Sequence, residues 1–251
     1  MIKVLISDEI SEKGIQALLK SDNIEVDIIT GLEPHELKSI IGNYQGLLVR
    51  SQTKVTEDII KAAKNLVVIG RAGVGIDNID IKAATEQGIA VINAPDGNTI
   101  STTELSFAMI MSMARWLPQA HSDLKQGQWN RKKYVGVELN NKVLGIIGLG
   151  RIGSGVAKRA KAFNMDVIGY DPYISEEQAE KIGIRTGSVE EVISQADFIT
   201  FHTPLTKDTK YMIDDKEFDL MKQGVRLINC ARGGIVREEA LIRALDNGIV
   251  D

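Results

Sequence analysis

Short β-branched apolar runs alternate along the chain with longer stretches whose apolar residues recur every three to four positions. This alternation predicts an α/β fold built on parallel strands. In the first half, strands are expected over 3–7, 24–28, 46–49, 66–69 and 89–92, and helices over 11–20, 34–41, 56–63 and 79–87. Ser11 and Thr56 stand where N-caps are needed, and Gly88 where a left-handed C-terminal residue is needed. The segment Asn93-Ala94-Pro95-Asp96-Gly97-Asn98 is dense in turn formers. An apolar-rich stretch over 101–126 then predicts one long helix, capped by Ser101 or Thr102 with Glu104 at the acidic position of a capping box. The second half restarts the rhythm, with strands over 142–147, 166–170, 198–202 and 225–229 and helices over 151–163, 175–181, 189–195 and 237–245. The reading is two Rossmann-like parallel-sheet domains, 1–97 and 98–251, with a further strand starting at 247–251.

Composition narrows the function. The 251 residues are 43% hydrophobic and 25% charged, which suits globular domains and excludes disordered or fibrous chains. A net charge of −4 offers no broad basic face, so nucleic acid is not an expected partner. No apolar run approaches the ~20 residues that span a bilayer, and the first residues lack a signal peptide's apolar region and cleavage site. No membrane association and a cytoplasmic location are expected. The single cysteine, Cys230, cannot form an internal disulfide and leaves no cysteine-based zinc site, so no metal is expected.

The most specific local signal is Gly148-Leu149-Gly150-Arg151-Ile152-Gly153, a G-x-G-x-x-G turn between an apolar strand and a helical pattern. Gly148 permits the tight turn, Gly150 lets backbone approach a pyrophosphate, and Gly153 lets helix and strand pack closely. The first amides of the following helix, at Arg151 and Ile152, then face the phosphates with the helix dipole behind them. Asp171 ends the next strand, 18 residues beyond Gly153, where a carboxylate accepts the ribose hydroxyls of adenosine. That carboxylate would repel a 2′-phosphate, so NAD is expected rather than NADP.

Further segments converge on one family. Gly70-Arg71-Ala72-Gly73-Val74-Gly75-Ile76-Asp77-Asn78, Asn93-Ala94-Pro95, Phe201-His202-Thr203-Pro204-Leu205 and Asn229-Cys230-Ala231-Arg232-Gly233-Gly234 together resemble the D-isomer-specific 2-hydroxyacid dehydrogenases. The resemblance covers essentially the whole chain. It implies two α/β domains with a substrate cleft between them and hydride transfer between substrate C2 and nicotinamide. Arg232 matches the family's arginine, a guanidinium that holds the substrate carboxylate and C2 oxygen together. Val74, with the neighbouring amides of Gly73 and Gly75, is implied to meet the substrate carboxylate or the nicotinamide end; a plain strand–helix turn is the alternative. Asn98 resembles a residue near the substrate, although its position also suits a helix cap. Thr203 and Pro204 are implied to line the cofactor, and Cys230 and Ala231 its nicotinamide side. His202 lies in the same segment and is read as structural or cofactor-lining.

The runs Val49-Arg50-Ser51-Gln52-Thr53-Lys54-Val55-Thr56 and Arg131-Lys132-Lys133 look most like members that act on a phosphorylated 2-hydroxy acid. Arg50 with Ser51 then becomes a phosphate ligand, and the basic run reaches a partner subunit in a homodimer or higher homo-oligomer. A reductase of a small unphosphorylated 2-oxo acid and a non-catalytic NAD-responsive binding module are the competing readings. His35 and His121 stand without a constellation and are expected at the surface. The family's general acid–base pair, a histidine oriented by a glutamate, has no match: no histidine follows His202, and Glu238 and Glu239 do not fit the family glutamate. The chain therefore reads as truncated, with little or no activity expected of it alone.

Overall fold

The structure, a computed structural model, describes residues 1–181 and 183–251 and divides into two compact units, Met1–Asn98 and Thr99–Asp251. In the first unit, strands β1 (Ile2–Ile6), β2 (Ile24–Ile28), β3 (Gly46–Val49), β4 (Val68–Arg71) and β5 (Ala90–Asn93) pair in parallel in the order β2-β1-β3-β4-β5. Between them run α1 (Glu12–Leu19), α2 (Pro34–Ile40), α3 (Glu57–Ala62) and α4 (Ile81–Glu86). Leu5, Leu47, Val49 and Ile69 from the strands meet Leu37, Ile59, Ile60 and Ala84 from the helices in one buried core. Ser11 and Thr56 occupy N-cap positions without making the capping bond, whereas Asp80, not foreseen, caps α4 by accepting from the Ala83 amide. Strand β4 begins two residues later than its apolar run suggests.

The second unit contains α5 (Thr99–Ala114), α6 (Leu117–Lys125), β6 (Val143–Ile147), α7 (Arg151–Ala162), β7 (Asp166–Tyr170), α8 (Glu176–Lys181), β8 (Arg185–Thr186), α9 (Val189–Gln195), β9 (Phe198–Phe201), α10 (Asp215–Leu220), β10 (Arg226–Asn229) and α11 (Glu238–Asp246). Its parallel sheet has the order β10-β9-β6-β7-β8. Strand alternation divides the side chains between two faces. Leu144, Ile146 and Phe198 pack with Phe107, Ile110, Val156 and Ala157 of α5 and α7. Ile147, Ile199 and Phe201 pack with Val192, Ile193, Phe218 and Ala240 on the other side.

The single long helix expected over 101–126 is instead two. Trp116 adopts a left-handed conformation (φ 54°), and Pro118 sits in the first turn of α6. Proline has no N–H to give to the carbonyl four residues back. The Ala114 carbonyl accepts from the Val137 amide instead, at 2.8 Å. The helix also starts earlier than expected, so Ser101 and Thr102 lie inside α5 and do not cap it. The remaining unforeseen elements are β8 and α10. The last residues bridge Val250 to Val225.

Candidate functional site

The glycine turn of the second unit is built by backbone contact. Gly148 has φ +97°, and a Cβ there would lie 2.8 Å from the His202 carbonyl group. A Cβ on Gly153 would stand 1.9 Å from the Gly148 carbonyl oxygen. Both positions therefore require glycine, one for conformation and one for the close approach of α7 to β6. Gly150 differs: its φ is −63°, and a Cβ would meet no protein atom within 4 Å. That open space lies at the N-cap of a twelve-residue helix, whose first amides have no intrahelical acceptor. It is the shape and polarity an approaching pyrophosphate needs, so these residues fit a dinucleotide.

Asp171 stands over the turn. One carboxylate oxygen accepts the Leu149 amide at 2.8 Å, and the other accepts the Tyr173 amide at 2.9 Å. This acid ties the glycine turn to the loop after β7. Leu149's amide is thereby spent on Asp171. Thr203 packs beside Gly148, and its hydroxyl is buried with no hydrogen-bond partner among the described residues. Pro204 follows, its carbonyl accepting from the Thr209 hydroxyl at 2.6 Å.

His202 continues the face of β9 that carries Phe198 and Thr200, and its Nε2 lies 3.0 Å from the Thr200 hydroxyl. Burial holds its pKa down at about 4, so the ring is neutral at physiological pH. The unfolded chain has an ordinary histidine near 6.5 and takes up the proton first as pH falls. Stability is therefore expected to drop between pH 6.5 and 4 by about 3 kcal/mol through this residue. Urea midpoints at pH 7 and 4.5 check it: His202→Asn should show a smaller acid loss than the parent chain, and identical losses would refute the assignment.

Arg232 sits in the loop after β10. Asn229 shapes that loop, its Oδ1 accepting from the Ala231 amide at 3.0 Å and its Nδ2 donating to the Arg232 carbonyl at 2.9 Å. The guanidinium is half-buried and donates to the Ala231 carbonyl at 2.9 Å. Gly234 takes φ +78°, and its carbonyl accepts from Tyr211 at 2.7 Å. Cys230, half-buried, points its thiol at Met109 Sδ, 3.5 Å away.

In the first unit, Arg50 and Ser51 lie in the exposed loop leaving β3. Asp8, only 2% exposed, accepts the Arg50 amide at 2.6 Å and the Thr53 hydroxyl at 2.6 Å. Asn78 Nδ2 donates to the carbonyls of Arg50 and Thr53, both at 2.7 Å. In the glycine loop after β4, a Cβ on Gly73 would overlap the Arg71 guanidinium, and Asn93 Nδ2 donates to the Val74 carbonyl at 2.6 Å. Among the described residues no acceptor meets the amides of Val74 and Gly75. Asn98 immediately precedes α5. His35 and His121 are exposed.

Residues 107–251 match the family model for the NAD binding domain of D-isomer specific 2-hydroxyacid dehydrogenases. The chain belongs to the D-isomer specific 2-hydroxyacid dehydrogenases. As a member of this family it carries its glycine turn and Asp171 inside an NAD-binding domain. A D-3-phosphoglycerate dehydrogenase of Bacillus subtilis is 53% identical over 250 residues, all of this chain and 47% of that protein. One from Sus scrofa is 50% identical over 246 residues, 98% of this chain and 46% of that protein. The chain thus spans about half the length of the curated relatives it matches. Among solved structures, the D-lactate dehydrogenase of Aquifex aeolicus complexed with NAD and lactic acid is 31% identical, with a TM-score of 0.88 over 99% of this chain and 74% of that one.

Three residues at the sites of this dehydrogenase family member have roles that the sequence did not assign: Asp8, Asn78 and Asn229. Each acts by holding backbone of a loop, and for Asp8 and Asn78 the partners are 25 to 45 residues away, so no local spacing marks them. The basic run over 131–133 forms a short 3₁₀ turn. Lys133 pairs with Asp123 at 3.2 Å, and the same carboxylate accepts from Tyr134 and Asn130. The Tyr134 hydroxyl, with Asn130 and Lys133, holds the Asp123 carboxyl below its ordinary pKa. No helix of the described residues is long and apolar enough to cross a membrane.

Proposed function

We propose that the chain belongs to an NAD-dependent enzyme that oxidises D-3-phosphoglycerate to 3-phosphohydroxypyruvate, the reaction that opens serine biosynthesis. The observation that carries the reading is the pairing of the NAD-binding turn with the clamped Arg50 loop, in a chain about half identical to D-3-phosphoglycerate dehydrogenases. Oxidation removes a hydride from C2 and a proton from its hydroxyl, and NAD when bound supplies the hydride acceptor.

The proton passes to a general base that none of the residues assigned here supplies, and the chain's own residues bind and orient cofactor and substrate. The amides of Gly150, Arg151 and Ile152 receive the pyrophosphate, and Asp171 accepts the adenosine ribose hydroxyls. Thr203, Pro204, Cys230 and Ala231 line the cofactor, with neutral His202 supporting that wall from inside the unit. The planar guanidinium of Arg232 grips the substrate carboxylate and C2 oxygen and stabilises charge on that oxygen as the proton leaves. Arg50 and Ser51 take the phosphate, and the amides of Val74 and Gly75, in the loop held by Gly73, offer hydrogen bonds to the carboxylate. Exposed Leu105, Met109, Trp129 and Val135, with the cationic residues 131–132, supply the apolar and basic surface of a homodimer.

The test is substrate choice. Binding to the NAD-loaded chain is expected to favour D-3-phosphoglycerate over D-glycerate. A preference for the unphosphorylated acid would overturn the reading in favour of a glyoxylate or hydroxypyruvate reductase. NAD binding without any response to either acid would favour a non-catalytic binding module.

A further inference from the structure

Beneath the loop that leaves β3 lies a carboxylate whose bonds all go to that loop. Asp8 is 2% exposed. Its two oxygens accept the Arg50 amide at 2.6 Å, the Thr53 amide at 3.1 and 3.2 Å, and the Thr53 hydroxyl at 2.6 Å. The Thr53 hydroxyl also lies 3.0 Å from that of Ser7. A buried carboxylate is costly unless its lone pairs are filled, and here two backbone amides and a hydroxyl fill them.

We infer that Asp8 is a positioning residue for the phosphoryl group of the substrate, acting by fixing the loop Arg50-Ser51-Gln52-Thr53. The inference rests on the reading that Arg50 and Ser51 take the phosphate. Asp8 pulls the amides at the two ends of the loop inward, while Asn78 Nδ2 draws in the carbonyls of the same two residues, each at 2.7 Å. Four backbone groups are thereby fixed by two side chains, and the tip residues Ser51 and Gln52 stay exposed. Among the described residues no acceptor meets the amides of Ser51 and Gln52.

The division of bonds on Arg50 matters. Asp8 takes its backbone amide and not its guanidinium. The guanidinium donates instead to the Glu9 carbonyl at 3.2 Å. A carboxylate on the guanidinium would compete with phosphate, whereas a neutral carbonyl gives way to a doubly charged oxyanion. A loop ordered before the ligand arrives loses less conformational freedom on binding, so affinity for an anion rises without a new contact. Asp8 thus contributes to phosphate recognition despite carrying the same sign of charge.

Asp8→Asn tests this. It keeps the side chain's size but turns one acceptor into a donor that faces N–H groups. Calorimetric titrations of the chain with D-3-phosphoglycerate, with D-glycerate and with NAD are the readout, alongside amide exchange at residues 50–53. Affinity for D-3-phosphoglycerate is expected to fall roughly tenfold or more, as for one lost charge-assisted bond, with D-glycerate and NAD unchanged and exchange faster at 50–53. Faster exchange with undiminished D-3-phosphoglycerate affinity would overturn the inference and leave the substrate reading standing. Equal parent-chain affinities for the two acids would defeat the substrate reading itself, and the inference with it. If Asp8→Asn does not fold, Thr53→Val removes the hydroxyl from the same cluster and carries the same expectation at smaller amplitude.

Discussion

Gly153→Ala is expected to abolish NAD binding and to destabilise the second unit by about 3 kcal/mol, the upper part of the usual range for overpacking. The added methyl would stand 1.9 Å from the Gly148 carbonyl oxygen. That neighbour is backbone in a tight turn and cannot rotate away as a side chain would. Either α7 lifts off β6 or the turn opens, and both misalign the amides of Gly150, Arg151 and Ile152. Gly150→Ala separates fold from ligand. With φ −63° and no protein atom within 4 Å of the new Cβ, alanine fits the folded chain. It should leave stability unchanged or raise it by about 0.5 kcal/mol through a less flexible unfolded chain. It should nevertheless lower NAD affinity on the order of a hundredfold, because the methyl occupies the space where backbone meets pyrophosphate. Urea unfolding and calorimetric NAD titration of both variants give the answer. Unimpaired NAD affinity in Gly150→Ala would move the pyrophosphate elsewhere.

The second large effect is expected at Arg232. Arg232→Gln should reduce affinity for D-3-phosphoglycerate about a hundredfold, since two charge-assisted hydrogen bonds at about 1.5 kcal/mol each are lost. NAD affinity should stay within twofold of the parent. Arg232→Lys should recover only part of the loss, because an ammonium keeps the charge without the planar fork. The loop itself should survive both changes: Asn229 holds the Arg232 carbonyl and the Ala231 amide, not the guanidinium. Full recovery in Arg232→Lys would show that charge alone suffices and would remove the two-point grip.

The parallel sheets and the cofactor turn were legible because they depend on local rules. Apolar runs of strand length, glycines at fixed offsets and an acid after the next strand each carry their own physical reason. The break after α5 had a visible sign in Pro118, but the apolar content across it masked the interruption, and the left-handed Trp116 has no sequence signature. Strand β8 is two residues long, too short to show a period. Helix α10 announced itself only through its capping box, Asp214 with Glu217. Asp8 reads from sequence as an ordinary acid after a strand. Its meaning arises only when folding brings residues 50 and 53 against it.

Gly155 has a consequence beyond tight packing. A Cβ there would fall 2.8 Å from the Thr103 hydroxyl, so α7 and α5 touch with no slack between them. Two rods in such contact do not slide independently. On its outer side α5 displays Leu105 and Met109. A side chain at position 155 would therefore have to push α5 away from α7.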